Sequence, residues 1–343
     1  MKELIISSGD ASQRMDKYLK RVFPNMGSSF LYKMLRKKNI TLNSKKATGS
    51  ELVQTGDRIQ CFFSDETFDK FADIIADTGA ASSKNIQSKE EIREYADAYQ
   101  SLDGIRIIFE NEHILLLDKP AGILSQKASN RDVSLNEWMI GYLLQSGFVT
   151  KESLRHFKPS VCNRLDRNTS GLVICGKTLL GSREMSRMLK DRSLKKYYRT
   201  YVHGKLEGEK VLEGYHYKNK NTNEAKILFD KPVVNAGQYD SIITAYRSME
   251  TRKKYSYLEI ELITGKTHQI RAHLAAYGHA LVGDKKYGRQ TDATQKHYPR
   301  YQLLHAYRIV FPTLEGELQQ LSGKEFICEE PDLFSQFRNS FFQ

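Results

Sequence analysis

Asp166 lies in a segment whose residue types suit carboxylate chemistry. Arg164 and Arg167 flank it, a polar run follows at 168–171, and an apolar strand is expected at 172–175. Neighbouring positive charge favours the ionised form of an aspartate, which can act as a nucleophile or accept a proton. The same residues also suit an Asx-type turn that closes a hairpin. This segment alone supports the catalytic and the structural interpretation equally.

A second polar segment contains the residues Thr-Gly-Lys-Thr-His-Gln-Ile-Arg at 264–271. We expect Thr264 or Thr267 to cap a helix here, so that polar side chains gather at the positive end of the helix dipole. The first turn of this helix would carry His268, Gln269 and Arg271. Taken singly, residues of these types more often cap helices or lie in cores than catalyse reactions.

The sequence contains no recognisable motif for a metal or a nucleotide cofactor. His268 and His273 are five residues apart, which puts them on different faces of a helix, and no glutamate completes the His-Glu-x-x-His pattern of zinc hydrolases. Neither a GxxxxGKS/T phosphate loop nor a GxGxxG turn after a strand is present. We therefore predict that the protein binds no metal and no nucleotide cofactor.

Both polar segments belong to a longer series of short motifs between residues 105 and 335. In chain order these are Asp118-Lys119-Pro120-Ala121-Gly122, Arg164-Leu165-Asp166, Thr169-Ser170-Gly171, Lys196-Tyr197-Tyr198, Thr264 to Arg271, Gly283-Asp284, Tyr287-Gly288, Leu304-His305-Ala306 and Pro331-Asp332-Leu333. The series resembles the RluA/RluC/RluD family of RNA pseudouridine synthases. Two positions differ from the family pattern, since Asn163 stands where many members have histidine and Lys266 where many have arginine.

The resemblance implies a role for individual side chains. Asp166 would be the catalytic aspartate, Tyr198 the ring that stacks on the target uracil, and Arg271 the ion-pair partner of Asp166. Arg164 is a candidate to fill the space that a flipped-out base leaves, and a phosphate clamp or a second partner of Asp166 are alternatives of equal weight. Further RNA contacts are expected from Lys119, His268 and Gln269.

The implied reaction needs no cofactor. Conversion of uridine to pseudouridine breaks the bond from N1 to C1′, rotates the uracil, joins C5 to C1′ and removes the C5 proton. One carboxylate can start this sequence by attacking C1′ or by taking a proton from C2′, and the sequence does not separate these routes. Nothing is oxidised, and the uracil never leaves the site.

The remaining sequence predicts the elements that must hold these residues. Segments rich in β-forming residues occur at 105–109, 113–118, 196–202, 225–229, 242–246, 255–263 and 303–310. Helical patterns occur near 135–144, 179–189 and 269–277. Because strands outnumber helices and do not alternate with them regularly, we predict an α+β fold with a mixed, mainly antiparallel sheet flanked by helices and loops.

Length and charge predict the domain organisation. The 343 residues suffice for two domains, 40% of them are hydrophobic, and the net charge of +12 favours a polyanionic partner such as nucleic acid. Residues 1–63 carry 12 basic and 5 acidic side chains, residues 64–104 carry 4 and 10, and residues 105–343 carry 37 and 26. We predict an RNA-binding domain, an acidic connector with one short helix at 89–99, and a catalytic domain over these three ranges.

The N-terminal domain contains a predicted helix at 30–38, capped by Ser28 or Ser29. The apolar face of this helix consists of Leu31, Met34 and Leu35. Its basic face consists of Lys33, Arg36, Lys37 and Lys38. With an Asn-containing turn at 43–46 and a final strand, the domain resembles the small ribosomal-protein-S-four-like RNA-binding module, although Phe30 stands where that module often has a basic residue. The resemblance implies that the basic face binds RNA phosphates, and a solvated face without a ligand is the alternative.

Further patterns bear on location and assembly. The longest aliphatic run, at 114–117, is far shorter than a membrane span requires, and the N-terminal residues form no signal-peptide core. Four widely spaced cysteines suggest reduced thiols rather than a disulfide framework. We therefore expect a cytoplasmic protein that does not associate with membranes, and we expect a monomer.

The sequence thus favours a pseudouridine synthase that acts on 23S ribosomal RNA. A synthase that acts on transfer RNA is an alternative of the same class. A non-catalytic RNA-binding ribosome-assembly factor is a second alternative, which the presence of Asp166, Tyr198 and Arg271 disfavours. A glycoside hydrolase is less well supported, because that chemistry usually needs a second positioned carboxylate.

Overall fold

The computed structural model describes residues 2–6, 10–11, 13–72, 81–219, 224–233, 238–288 and 298–342. The chain divides into two compact units. Unit 1 consists of Met1–Ser101, Glu137–Ser160 and Gly176–Arg183. Unit 2 consists of Leu102–Asn136, Val161–Cys175 and Glu184–Gln343.

The N-terminal part of unit 1 contains short strands around two helices. These elements are β1 (Lys2–Ile5), β2 (Gln13–Arg14), α1 (Met15–Val22), α2 (Ser28–Arg36), β3 (Ile40–Leu42), β4 (Lys45–Lys46), β5 (Leu52–Val53) and β6 (Arg58–Cys61). Four strands pair antiparallel in the order β1-β6-β3-β4, and β2 pairs with β5. The apolar faces of α1 and α2 contribute to one buried core together with residues of β3 and β6. The apolar residues in this part of the sequence thus form the core of a folded region.

Helix α2 differs from its prediction at both ends. It begins at Ser28 with Gly27 in the N-cap position, and no side chain caps it, so the prediction that Ser28 or Ser29 caps the helix is wrong. It ends at Arg36, since Lys38 adopts a left-handed conformation with φ of 58°. The predicted apolar face is confirmed as buried, and the four basic residues are exposed: Lys33, Arg36, Lys37 and Lys38.

The acidic segment after β6 contains more helix than its sequence predicts. It holds α3 (Asp65–Ala72) and α4 (Ala81–Ser101), and α4 has 21 residues where a short helix at 89–99 was expected. Gly141 of α5 (Leu135–Gln145) approaches α4 so closely that an added Cβ would lie 2.2 Å from the Tyr95 carbonyl oxygen. The C-terminal half of α4 is therefore packed into unit 1. A further helix, α6 (Lys151–His156), follows α5.

The remaining elements build one large sheet and the helices around it. They are β7 (Arg106–Glu110), β8 (Ile114–Lys119), β9 (Ser160–Val161), β10 (Ser170–Gly176), α7 (Leu179–Asp191), β11 (Lys195–His203), β12 (Glu209–Asn219), β13 (Glu224–Leu228), β14 (Asp240–Thr251), β15 (Tyr255–Leu262), α8 (Gln269–Ala276), β16 (Leu304–Val310), a 3-10 helix (Gly316–Leu321), β17 (Glu325–Ile327) and α9 (Asp332–Phe341).

The order of the strands confirms the predicted α+β fold with a mixed, mainly antiparallel sheet. Eleven strands form one sheet in the order β13-β12-β14-β15-β11-β16-β10-β8-β7, with β17 beside β16 and β9 beside β10. Strands β10 and β16 are parallel, whereas the pairs from β13 through β16 are antiparallel. Strands β8 and β10 are buried along their whole length, which explains their unbroken apolar runs.

Gly171 marks the closest backbone approach next to Asp166. It pairs with Ala306 across the parallel strands β10 and β16, and its φ is +112°. A Cβ at this position would lie 2.2 Å from the Ala306 carbonyl oxygen. Gly122 also has a positive φ, +96°, but an added Cβ there meets no atom within 4 Å. Substitutions at these two glycines therefore distinguish the cost of a side chain at positive φ from the cost of steric overlap with β16.

We predict that Gly171→Ala lowers the free energy of unfolding far more than Gly122→Ala. The Gly122 variant should lose about 1 kcal/mol, because it only forces a left-handed conformation on an L side chain. The Gly171 variant should lose at least about 2 kcal/mol more, because it also displaces the neighbouring strand. Urea unfolding of both variants followed by circular dichroism measures the difference. Equal losses would show that β16 does not lie as close as described.

Candidate active site

Asp166 occupies a tight turn between β9 and β10. The Thr169 N–H donates to the Asp166 carbonyl oxygen at 3.0 Å, which closes the turn. The predicted turn is therefore present, and it leaves the Asp166 side chain 26% exposed.

The backbone on both sides of Asp166 is fixed by the stretch that follows β8. The buried Ser125 hydroxyl accepts from the Leu165 N–H at 2.9 Å and donates to the Leu165 carbonyl oxygen at 2.9 Å. The carbonyl oxygen of Arg167 accepts from the Gly122 N–H at 2.8 Å and from Lys119 Nζ at 3.1 Å. Both residues next to Asp166 are thus held by hydrogen bonds from the end of β8 and the loop that follows it.

Lys119 is a buried structural residue, which corrects the prediction that it contacts RNA. Its side chain is fully buried, and Nζ donates to the carbonyl oxygens of Pro120, Ile123 and Arg167 at 2.9, 2.8 and 3.1 Å. Burial lowers the pKa of Lys119 to about 7, against the attraction of the carboxylates nearby. Because Nζ contacts three backbone carbonyl oxygens, Lys119 holds the Asp166 turn in place of binding a phosphate.

Gln269 requires the same correction. It is 2% exposed, and its Oε1 accepts from the Thr264 hydroxyl at 2.9 Å and from the Lys266 N–H at 3.1 Å. Its Nε2 donates to the Ile243 carbonyl oxygen and to the Thr244 hydroxyl, both at 3.0 Å. All of these partners are protein atoms, so Gln269 ties α8 to the sheet and has no donor or acceptor left for RNA.

His268, and neither Thr264 nor Thr267, precedes the first turn of α8. It occupies the N-cap position in a left-handed conformation, with φ of 54° and ψ of 22°, and no side chain caps the helix. The predicted threonine cap is therefore wrong, because the Thr264 hydroxyl bonds to Gln269 and to the Ile243 backbone. The His268 ring lies beside Asp166, with Nε2 3.9 Å from Oδ1.

Arg271 joins two carboxylates. Its Nε and Nη2 donate to Asp284 Oδ2 and Oδ1 at 2.7 and 2.9 Å, and its Nη1 donates to Asp166 Oδ2 at 2.7 Å. The predicted ion pair between Arg271 and Asp166 is therefore present. Asp284 also accepts from the backbone N–H groups of Lys286 and Tyr287 at 2.9 and 3.2 Å. Asp284 is completely buried at its side chain, so the guanidinium is anchored on the side away from solvent.

Burial and charge act in opposite directions on this pair. Burial acts to lower the pKa of Arg271, but hydrogen bonds and charge from Asp284 and Asp166 raise it overall. Burial acts to raise the pKa of Asp284, and the Arg271 guanidinium with two backbone N–H groups lowers it overall. The pair is thus ionised throughout the physiological pH range. The guanidinium thus contacts two carboxylates, the buried Asp284 and the partly exposed Asp166.

Tyr198 lies on β11 with only 5% of its surface exposed. Burial raises the pKa of its phenol, and the negative charge of Asp166 acts in the same direction. The phenol therefore keeps its proton at neutral pH, so it can offer an aromatic face and a hydroxyl donor but no phenolate base. Arg164, by contrast, is exposed on the turn before Asp166.

Comparison with known proteins places this arrangement in a family. The family model described as RNA pseudouridylate synthase matches residues 113–276. Ribosomal large subunit pseudouridine synthase D of Zymomonas mobilis is 31% identical over 241 residues, which are 66% of this chain and 69% of that protein. The chain belongs to the RluA/RluC/RluD family of RNA pseudouridine synthases.

Other relatives of this pseudouridine synthase match most of its length. An uncharacterized RNA pseudouridine synthase of Mycoplasma genitalium is 29% identical over 314 residues, covering 91% of this chain and 90% of the relative. Among solved structures, human RNA pseudouridylate synthase domain containing 4 superposes with a TM-score of 0.51 at 16% identity, over 74% of this chain and 95% of that chain. This likeness supports the fold.

The structure also identifies residues of the synthase to which the sequence assigned no role. Asp284 was part of a motif, but nothing in the sequence shows that it fixes Arg271. Ser125 carried no signal, because a lone serine after a loop has many ordinary explanations. The Tyr287 hydroxyl forms a hydrogen bond with His268 Nδ1 at 3.0 Å. The sequence does not indicate this contact, because the two residues meet only in the folded chain.

Three findings concern metal ions, thiols and membrane-spanning helices in the part of the chain that the structure describes. Among them, no group of three or more His, Cys, Asp or Glu side chains is arranged to hold a metal ion. All four cysteines of the synthase are free thiols, and three of them are buried. No helix in the described part of the chain is long and apolar enough to cross a membrane.

Proposed function

We propose that this synthase isomerises specific uridines of 23S ribosomal RNA, with Asp166 as its catalytic aspartate. The observation that carries the proposal is the state of the Asp166 carboxylate: Arg271 holds Oδ2, while the side chain remains partly exposed. Relatives named ribosomal large subunit pseudouridine synthases D and C, from Zymomonas mobilis and Rickettsia felis, support ribosomal RNA as the substrate.

The proposed reaction begins and ends with the same carboxylate. Asp166 either attacks C1′ and forms an ester, or takes the proton from C2′, and in both routes the electron pair of the bond from N1 to C1′ leaves with the uracil. The freed uracil rotates so that C5 faces C1′. The new bond from C5 to C1′ forms as the ester breaks or the proton returns to C2′. The C5 proton is then lost, and N1 gains a proton.

The neighbouring residues suit this sequence of steps. Arg271, fixed by Asp284, holds Asp166 in one orientation and stabilises its charge each time the carboxylate is released. The buried Tyr198 ring provides a face for the uracil while it is detached, and its protonated hydroxyl adds no competing negative charge. The exposed Arg164 is suited to stack in the space that the flipped-out uridine leaves.

We propose that residues 1–63 dock the RNA and that residues 105–343 carry the reaction. The exposed residues Lys33, Arg36, Lys37 and Lys38 concentrate positive charge within and just after α2. Such a cluster on a small folded scaffold binds phosphates without reading sequence. We expect the protein to act as a monomer in the cytoplasm, where ribosomal RNA is made in bacteria.

The proposed function predicts tritium release from C5-labelled 23S ribosomal RNA transcripts, and none from transfer RNA transcripts. Asp166→Asn should reduce the rate at saturating RNA by at least about a thousandfold, or ~4 kcal/mol of barrier, because the amide keeps the shape of the side chain and cannot attack or accept a proton. RNA affinity should stay within a few fold, since phosphate contacts lie elsewhere.

Asp191→Asn is the matched control for this variant, because it changes an exposed carboxylate on α7 in the same way. It should release tritium at the rate of the parent. Release from transfer RNA alone would transfer the activity to that substrate. Binding of ribosomal RNA without release from any transcript would indicate an assembly factor. Activity of Asp166→Asn within about tenfold of the parent would contradict its catalytic role.

For the docking surface, we predict that replacing Lys33, Arg36, Lys37 and Lys38 by Ala weakens binding to every RNA tested. The slope of log affinity against log salt should decrease by up to about 3, because fewer counterions are released. KM should rise while kcat stays nearly constant, since phosphate contacts do not enter the bond rearrangement. Filter binding and tritium release across a salt series measure both quantities.

A second quadruple variant controls for net charge. Replacing Lys205, Lys226, Lys253 and Lys254, which are exposed residues of unit 2, by Ala removes the same amount of charge. If α2 binds phosphates, this control should retain most of the salt slope. Equal effects of the two variants would show that the field of the whole protein, and no local contact, attracts the RNA.

A further inference from the structure

Two polar atoms beside the Asp166 turn form no hydrogen bond with any residue that the structure describes. Asp166 uses Oδ2 to accept from Arg271, and Oδ1 accepts no hydrogen bond from the part of the chain that the structure describes. His268 Nε2 lies 3.9 Å from this Oδ1, which is too far for a direct hydrogen bond. The His268 and Asp166 side chains are 13% and 26% exposed, so neither is sealed from solvent.

The second nitrogen of the His268 ring fixes where its proton lies. The Ala225 N–H donates to Tyr287 Oη at 2.8 Å, so this oxygen already acts as an acceptor. Its own hydrogen is then directed to His268 Nδ1, 3.0 Å away. A neutral imidazole whose Nδ1 accepts must carry its hydrogen on Nε2. Burial lowers the pKa of His268, against the attraction of Asp166, so the neutral ring is the relevant form at pH 7.

The backbone of His268 is held in an uncommon conformation for the sake of this placement. Its φ of 54° is one of few positive values at a non-glycine residue in the described chain, and its ring does not cap α8. A left-handed conformation is unfavourable for an L residue, because its Cβ crowds the following carbonyl oxygen. Strain of this kind is characteristic of residues that a site requires in one position. Here it directs a donor toward the free oxygen of Asp166.

The pair of atoms is complementary to a hydroxyl group. Nε2 offers a hydrogen, Oδ1 offers a lone pair, and an oxygen about 2.8 Å from each can bond to both. Such an oxygen must accept one hydrogen bond and donate another through a single atom. Hydroxyls do this, whereas a phosphate oxygen only accepts and an ammonium only donates. The separation of 3.9 Å thus fits one bridging hydroxyl.

We propose that His268 and Asp166 bind the 2′-hydroxyl of the target uridine and that His268 makes the enzyme selective for ribose over deoxyribose. This inference rests on the proposed function, in which Asp166 acts at C1′ or C2′. Either route brings the hydroxyl on C2′ next to the reacting carboxylate. The hydroxyl accepts from His268 and donates to Asp166. The 2′-hydroxyl is also the group by which proteins distinguish RNA from DNA.

The inference is tested by a cycle of enzyme and substrate variants. The substrate is a C5-tritiated RNA fragment containing the uridine at which the parent enzyme acts, prepared with a 2′-hydroxyl or a 2′-hydrogen at that residue alone. Each substrate is tested with the parent, His268→Ala and His268→Gln under single-turnover conditions at saturating RNA. His279→Ala serves as the matched histidine control, because that ring bonds to the His203 carbonyl oxygen away from Asp166.

We expect the rate of the parent to fall about tenfold when the 2′-hydroxyl is removed, because the substrate then loses its hydrogen bonds to His268 and Asp166. His268→Ala should lose about tenfold on the ribose substrate, yet removal of the hydroxyl should then cost it threefold or less. His268→Gln presents an N–H donor and should recover part of the preference for ribose. His279→Ala should behave like the parent on both substrates.

Several outcomes would overturn the inference. If the loss of rate from removing the 2′-hydroxyl is the same in the parent and in His268→Ala, His268 does not contact the hydroxyl. The proposed function would still stand in that case, provided that the parent is active and Asp166→Asn is inactive. A parent that releases tritium from no RNA would overturn the proposed function and this inference together. If His268→Ala fails to fold, the parent is compared with His268→Gln instead. A Gln variant that is slower than the parent, but loses the same factor in rate when the 2′-hydroxyl is removed, would contradict the contact.

Discussion

A buried guanidinium between two carboxylates determines the arrangement of the Asp166 turn and its surroundings. Arg271 is 7% exposed, and a charge removed from water to that extent needs opposite charge and hydrogen bonds close by. Asp284 supplies both through two hydrogen bonds, which fixes the plane of the guanidinium. The remaining Nη1 then lies where it binds one oxygen of Asp166. The second oxygen of Asp166 is not bound by Arg271, and it belongs to a side chain that is 26% exposed.

The backbone of the turn carries the other half of this constraint. Leu165 is bound at both its N–H and its carbonyl by Ser125, and the Arg167 carbonyl is bound by Gly122 and Lys119. Lys119 is the last residue of β8, and Gly122 and Ser125 lie in the loop that follows, so one short stretch of chain holds the backbone on both sides of Asp166. Because these contacts are made by the backbone of the turn, they leave the side chains of Arg164 and Arg167 exposed at its surface.

The sequence predicted most strands of unit 2 because their inward faces are apolar, but it missed β17, α9 and the 11-residue strand β12. That strand alternates correctly, yet Gly214 and His216 occupy buried positions where hydropathy gives no signal. Residue types alone supported a catalytic role for Asp166 no more strongly than a structural role in a turn. The roles of the site residues were predicted from the family resemblance. The roles of Lys119 and Gln269 were misjudged, because a sequence shows that a side chain is polar and does not show that backbone carbonyls or hydroxyls surround it in the fold.

The most direct test of this account is the single-turnover rate of Asp284→Asn at saturating RNA. The amide keeps the size of the side chain but loses the charge that fixes Arg271, so the account predicts a fall of at least about tenfold, or ~1.4 kcal/mol of barrier, with RNA affinity unchanged within about threefold. Asp240→Asn, which removes an exposed carboxylate paired with Lys266, should leave the rate unchanged. A folded Asp284→Asn enzyme that reacts at the rate of the parent would contradict the dependence of Asp166 on the buried ion pair.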